Sequence, residues 1–323
     1  MDFVLPSLSV RKTITEQKTV KTLVLGAGPA GLAAALYLAR AELNPVVLTG
    51  TDLGGQAALT NVIENYPGFP DGVGGAELGE LFQKQAERFG ALVEFDTASS
   101  VDLSSRPFRV RTYSKEYLAN SIIIATGASP NHLNVPGESK LIGKGTSYCA
   151  TCDGWFFKEK KVVVVGGGDS AIEEAMFLTR FATSVTIVHR RDELRAGAIL
   201  QRRANANTKV HFIWNSVVKE IVGSEKVEAV LLQNVTTYEE SHLATDGVFI
   251  FIGHTPNTQL YKDQLTLTPA GYVQVDLLMH TSIPGVYAAG EVCDPNFRQV
   301  VTSAGMGAAA AIEATKFLES EEN

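Results

Sequence analysis

One pattern occurs twice, and nothing else in the chain narrows the fold so far. A short apolar run, Thr22-Leu23-Val24-Leu25, leads into Gly26-Ala27-Gly28-Pro29-Ala30-Gly31, then an Ala/Leu-rich stretch over 32–43, then Val46-Val47-Leu48. That order reads as strand, tight glycine turn, helix, strand. The first glycine permits the turn, the second lets backbone approach a pyrophosphate, and the third lets helix and strand pack closely, with the phosphates at the helix N-terminus. The same order returns 140 positions later, from Gly26 to Gly166. Lys161-Val162-Val163-Val164-Val165 precedes Gly166-Gly167-Gly168-Asp169-Ser170-Ala171, a helix is expected over 172–181, and a strand follows over 185–188. Arg40 and Arg180 keep the same offset. Two such βαβ units imply an α/β protein with two Rossmann-like domains and two nucleotides; two merely structural α/β units are the plainer alternative.

The copies differ just beyond the second strand, where this fold commonly carries an acid for a ribose hydroxyl. The first has Thr49-Gly50-Thr51-Asp52, with Asp52 as its one acidic candidate; the second has His189-Arg190-Arg191-Asp192-Glu193-Leu194-Arg195. Clustered arginines can fork onto a 2′-phosphate that an acid would repel, so the second unit is expected to bind NADPH rather than NADH. A solvated charged turn is the alternative.

Between the copies, Leu78, Leu81, Phe82, Ala86 and Phe89 recur at helical spacing within 75–90, and a strand over 122–125 ends in the turn Thr126-Gly127-Ala128. The Pro/Gly/Asn-rich stretch 129–137 then reads as a crossing, mirrored where 248–252 runs into Gly253-His254-Thr255-Pro256-Asn257-Thr258. These two stretches make a hinge, and the second unit becomes an insertion. The expected organisation is an N-terminal extension over 1–18, a first domain over 19–128 and 256–323, and an inserted domain over 129–255. The chain closes with a strand over 286–289, Gly290-Glu291, Arg298-Gln299 and an Ala-rich helix from about 303 to 318. A helix start after Arg-Gln suits an anion such as a reduced flavin's pyrimidine edge, or is only a packed helix with a small-residue cap.

Cys149-Ala150-Thr151-Cys152-Asp153-Gly154 stands just before the second unit. Two thiols three positions apart can close and reopen a disulfide, with an acid directly behind them. Half of a zinc site is the rival, but the third and last cysteine is Cys293 and no second ligand pair has the spacing. So few cysteines fit a reducing compartment, and the cytosol is the simplest placement. A net charge of −7 offers no broad basic field for nucleic acid or anionic lipid. Residues 1–18 show no targeting pattern, and no run has the length of a membrane helix.

Taken together, these motifs resemble the low-molecular-weight thioredoxin reductases over residues 21–318. Besides those above, Gly54-Gly55-Gln56, Asn65-Tyr66-Pro67-Gly68 and Ala125-Thr126-Gly127-Ala128 carry the likeness. The resemblance implies FAD in the discontinuous domain, NADPH in the inserted one, a homodimer and thioredoxin as partner. For FAD it points to Gly26, Gly28, Pro29, Ala30, Gly31, Gly55, Gln56, Asn65, Thr126, Gly127, Ala128, Gly290, Glu291, Arg298, Gln299 and Val300. For NADPH it points to Gly166, Gly168, Asp169, Ser170, Ala171, His189, Arg190, Arg191 and Arg195. It gives Cys152 the flavin-facing place, Cys149 the attack on thioredoxin and Asp153 the proton. Thioredoxin would dock near Lys144, Trp155 and Phe156, although Trp155, Phe156 and Phe157 could equally be core.

The chain departs from the family at Glu291, where Asp is usual, and closes its second turn on Ala171. Cys293 is a bystander. Because the dithiol and the expected NADPH site share one domain, that domain must rotate to present each to the flavin. A sibling serving another disulfide carrier, or one taking electrons from a ferredoxin-type donor, is the runner-up; the arginines have no use in the latter. A catalytically silent redox scaffold would need the cysteines to be relics.

Overall fold

A computed structural model of the chain describes residues 16–50, 53–60 and 62–322. Asp52 and the extension as far as residue 15 lie outside the described residues. Glu16–Lys18, expected to belong to that extension, are instead the start of a strand. The chain forms two compact units: Met1–Ala58, Gly74–Ala128 and Pro256–Asn323 in one, Leu59–Val73 and Ser129–Thr255 in the other.

The first unit contains β1 (Glu16–Leu25), α1 (Pro29–Arg40), β2 (Val46–Leu48), α2 (Gly75–Arg88), β3 (Leu92–Glu94), β4 (Ser100–Asp102), β5 (Phe108–Arg111) and β6 (Lys115–Ile124). Next come β7 (Ala128–Pro130) across the boundary and, in the second unit, β8 (Thr146–Ser147), α3 (Ala150–Asp153), β9 (Lys161–Val165), α4 (Asp169–Leu178), β10 (Ser184–Val188), α5 (Ala198–Ala206) and β11 (Val210–Ile213). It continues through β12 (Ser216–Val222), β13 (Ala229–Asn234), β14 (Glu240–Ala244) and β15 (Gly247–Ile250) to β16 (His254–Pro256). The chain then returns to the first unit for β17 (Val286–Ala288) and α6 (Val300–Glu322).

In the first unit β3, β2, β1 and β6 lie side by side and parallel, with β17 against the last half of β6, β5 antiparallel against its first half and β4 antiparallel against β5. Side chains of a strand alternate between faces, so Leu23 and Leu25 enter one core with Phe108, Val110 and Tyr117 while Val24 enters another with α1 and α6. The second unit repeats the plan. Its parallel order is β11-β10-β9-β15-β8; Val162 and Val164 face α4, whereas Val163 and Val165 face the antiparallel layer β12-β13-β14. Strands buried on both faces read as continuous apolar runs, and β1 and β9 stood out in the sequence for that reason.

Helices begin earlier than their apolar runs suggest. α1 covers Pro29–Arg40 rather than 32–43, because Gly28 is itself the N-cap and Pro29 occupies the first turn, where its missing N–H costs nothing. Leu43 lies beyond the helix yet is buried in the same core. α4 likewise starts at Asp169, and α6 runs from Val300 to Glu322 instead of 303–318. The segment Leu59–Val73, expected within the first domain, groups with the second unit; its ends are joined by their own Ile63–Val73 bridge and not by a strand of the first sheet.

Candidate active site

Cys149 and Cys152 form a disulfide with Cα atoms 5.3 Å apart. Cys149 is the N-cap of the short helix α3, and its Sγ accepts the Cys152 N–H at 3.2 Å. A sulfur that already faces a backbone donor is stabilised as thiolate once the bond opens. Ser147, which sequence reasoning missed, grips the same residue: its Oγ accepts the Cys149 N–H at 3.1 Å and lies 3.2 Å from the Cys149 carbonyl. Burial pushes the Asp153 carboxyl up, and a hydrogen bond from Ser147 opposes this only in part. A half-buried carboxyl held above its ordinary range keeps a proton closer to neutral pH, as an acid beside a dithiol requires. Nothing but a serine two residues upstream could have signalled that contact.

Of the aromatics after the pair, Trp155 and Phe156 are exposed while Phe157 is core, packed edge-on to Phe249 at 5.0 Å. Lys158 stands over the Trp155 ring, and Lys144 is exposed.

At the head of α4, no side chain caps the first turn, so its N–H groups stay open to an anion. Arg190, Arg191 and Arg195 are exposed, and the Arg195 guanidinium lies 3.8 Å from where a side chain on Gly168 would begin. Asp169 is committed otherwise: its Oδ1 accepts the Gly197 N–H at 2.7 Å and ties the arginine loop to the helix. His189 is also placed differently from the arginines. Its ring fills the space under Gly167, and Nε2 is buried without a partner. Burial, then Arg195, pushes its pKa down, so the ring is neutral packing beneath the turn.

In the first unit, Gly26 holds a φ of +108°, and a side chain there would strike the Ala125 carbonyl at the end of β6. Gly28 has open space beside it, and Gly55 packs against it. Gly290 meets Ala30, so Gly26, Gly28, Pro29, Ala30, Gly31, Gly55, Thr126 and Gly290 converge on the start of α1, while Gly127 has open space beside it. Gln56 follows in the same short helical turn; Asn65 lies on the Leu59–Val73 segment, grouped with the second unit. Arg298, in left-handed backbone at φ +50°, and Gln299 precede Val300 at the start of α6. Glu291 is half-buried, and its loss of solvent pushes the carboxyl up to about 7, with Arg298 drawing it down and Asp294 raising it. Its carboxyl is therefore only partly ionised near neutral pH. Burial also pushes the free Cys293 thiol up to about 12, and that thiol donates to the Gly290 carbonyl at 3.3 Å. Such a thiol is inert.

Two dinucleotide-type units, one with a cysteine disulfide at its edge, define an oxidoreductase that handles disulfides. Residues 20–307 match the pyridine nucleotide-disulphide oxidoreductase family. A thioredoxin reductase of Rickettsia conorii is 51% identical over 93% of this chain and 98% of its own. The crystal structure of thioredoxin reductase from Streptococcus pyogenes superposes with a TM-score of 0.89 at 45% identity, covering 94% of this chain and 99% of that one. A Lactococcus lactis thioredoxin reductase in its FR conformation gives 0.64 at 42% identity over 93% and 99%. The chain belongs to the pyridine nucleotide-disulphide oxidoreductases, on their thioredoxin reductase branch. Among the described residues no helix is long and apolar enough to cross a membrane.

Proposed function

We propose that this chain is an NADPH-dependent, FAD-containing thioredoxin reductase of the cytosol that works as a homodimer. The observation that carries it is the disulfide at the N-cap of α3, with the half-buried Asp153 behind it, in a chain with two glycine turns. The open space at Gly28 and the uncapped first turn of α1 fit a pyrophosphate, so Gly26, Gly28, Pro29, Ala30, Gly31, Gly55, Gln56, Thr126, Gly127, Ala128, Gly290, Glu291, Arg298, Gln299 and Val300 would hold FAD, and the family resemblance adds Asn65 to the set. The second turn, Gly166, Gly168, Ser170 and Ala171, would hold NADPH with Arg190, Arg191 and Arg195 on the 2′-phosphate, while Asp169 and His189 support the turn. When bound, the flavin accepts a hydride from the reduced nicotinamide and releases the electron pair to a disulfide.

The chain's own groups then do the exchange. In the reduced dithiol, the Cys149 thiolate attacks one sulfur of the thioredoxin disulfide, forming a mixed disulfide and freeing one thioredoxin thiolate. Cys152 attacks Cys149, the Cys149–Cys152 bond re-forms, and the second thioredoxin sulfur leaves. Asp153 holds the proton that the departing or arriving thiol needs. Trp155, Phe156 and Lys144 offer an exposed apolar and basic surface for docking.

The inserted unit rotates between presenting the dithiol and presenting the nicotinamide. The bonding at the crossings supports a pivot there. Thr126 and Asn257 exchange two hydrogen bonds of 2.8 Å inside the first unit, Asn131 accepts from Thr255 at 2.8 Å inside the second, and β7 pairs with β16 as a short ribbon.

Anaerobic addition of NADPH should bleach the yellow protein, and oxidised thioredoxin should restore the colour. Cys149→Ser should keep the bleaching and lose thioredoxin turnover by roughly a thousandfold or more. Full turnover in that variant would overturn the assignment.

A further inference from the structure

Tyr148 immediately precedes Cys149, and its side chain bonds to residues at the preceding crossing. Its hydroxyl lies 2.7 Å from Glu138 Oε1 and 2.7 Å from His132 Nδ1. Glu138 is 1% exposed. Its Oε1 also accepts the Leu133 N–H at 3.0 Å, and its Oε2 accepts those of Asn134 at 2.7 Å and Val135 at 3.4 Å. Burying a carboxylate is costly unless donors surround it. Here burial pushes the carboxyl up, but the Tyr148 hydroxyl and the three backbone donors outweigh it and hold the group below its ordinary range.

A carboxylate has no proton to give, so the single hydroxyl proton of Tyr148 goes to Glu138. His132 must then donate from Nδ1, and its ring meets Tyr148 edge-on at 5.3 Å. Every proton in the chain His132–Tyr148–Glu138 thus has one place. The network has two fixed ends. One is the Leu133–Val135 turn; the other is the backbone at Tyr148, between Ser147, which pairs with Phe249 of β15, and Cys149, the cap of α3.

While the disulfide is closed, a covalent bond sets where the Cys149 sulfur lies. Once it opens, the sulfur keeps the Cys152 N–H and the Thr151 hydroxyl, 3.8 Å away, while the Ser147 hydroxyl and the direction of the backbone hold the residue that carries it. We propose that Tyr148, anchored by Glu138, is a positioning residue for Cys149 that acts in the reduced state, keeping the freed thiolate aligned for attack on the incoming disulfide. The inference rests on the function proposed above and goes beyond it, since it assigns Tyr148 and Glu138 to the outgoing half of the reaction alone.

The test uses the full-length flavin-loaded enzyme. Tyr148→Phe keeps the ring and removes both hydrogen bonds; Glu138→Gln removes the anionic anchor. In each, bleaching by NADPH should stay within about twofold of wild type, while single-turnover transfer from the reduced enzyme to oxidised thioredoxin falls about tenfold with the half-saturating thioredoxin concentration unchanged, since small misplacement of a reacting group costs rate rather than binding. A small aromatic disulfide, which needs no docking, should show the same fall. Transfer by Tyr148→Phe within twofold of wild type for both acceptors would overturn the proposal. So would a loss confined to thioredoxin with weakened half-saturation, which would make Tyr148 a docking residue. If wild type bleaches but does not reduce thioredoxin, the functional reading fails, and the small-disulfide measurement still decides the role of Tyr148.

Discussion

The two glycine turns begin alike and part at their last residue. In the first unit a side chain on Gly31 would run into the Gly26 carbonyl, and one on Gly307 of α6 into the Ala30 carbonyl. α1 is thus pressed between its own turn and α6, with no room for a methyl at either contact. In the second unit Ala171 stands where Gly31 does, its methyl already packed against Gly166, and no helix corresponding to α6 bears on α4. The third glycine of such a fingerprint is therefore a statement about neighbours as much as about nucleotide. Charge divides the units in the opposite sense: the three arginines stand at the second turn, while the first unit gathers charge at Glu94, which takes Lys18, Lys115 and Tyr117, and at Glu116, which takes Arg109 and Arg111.

Exchanging the two residues breaks the comparison most directly. Gly31→Ala should destabilise the first unit by about 3 kcal/mol or more, the upper range for overpacking, because backbone and not a pliable side chain blocks the methyl. Both tryptophans, Trp155 and Trp214, belong to the second unit, so their fluorescence transition in urea should move less than the transition seen by far-ultraviolet circular dichroism. Equal shifts would show the two units unfolding as one.

Removing Arg190, Arg191 and Arg195 together, as alanines, should raise the half-saturating NADPH concentration by about a hundredfold with little change for NADH, at roughly 1.4 kcal/mol per factor of ten. An unchanged preference between the two would refute the phosphate role.

Glu94→Gln is the matching test of the first unit's charges. Burial pushes the Glu94 carboxyl up, but its bonds from Lys115, Lys18 and Tyr117 outweigh this and bring it from 4.5 to about 2. Its folded pKa is thus below the unfolded one, so the stabilisation is complete above about pH 4.5 and disappears as the pH falls toward 2. Allowing for partial solvent screening, wild type should exceed Glu94→Gln by about 2 kcal/mol at pH 7. That gap, read from urea midpoints, should narrow between pH 5 and pH 2. A constant gap would assign the loss to packing.

The smallest effect belongs to Ala171→Gly, about 1 kcal/mol or less from helix propensity alone. A larger loss, measured by the tryptophan transition, would mean that the methyl supports the turn.

Both sheets were legible in the sequence because their central strands are buried on both faces and their turns demand glycine. The insertion was legible because the pattern restarted. Helix starts were not, since Gly28 and Gly168 cap their helices with backbone geometry that leaves no side-chain signature. The antiparallel layer β12-β13-β14 went unnoticed because its apolar residues alternate with polar ones, as a half-exposed sheet must. At the dithiol, the cysteines and Asp153 could be read from spacing. Ser147 could not, because its bonds depend on how β8 enters α3, and Glu138 could not, because its partners form a turn that only tertiary structure closes.

The close seat of Gly307 on Ala30 also bears on how the chain is made. α1 leaves the ribosome early, but the helix that covers it comes last, after the whole second unit. At synthesis rates of about 5–20 residues per second, α1 waits roughly 15–50 seconds for its cover, and during that time the second unit can complete both of its cores. α1 thus belongs to a unit finished after the one that follows it in the chain, and a nascent chain stalled before residue 300 would carry a folded inserted unit beside an uncovered apolar helix.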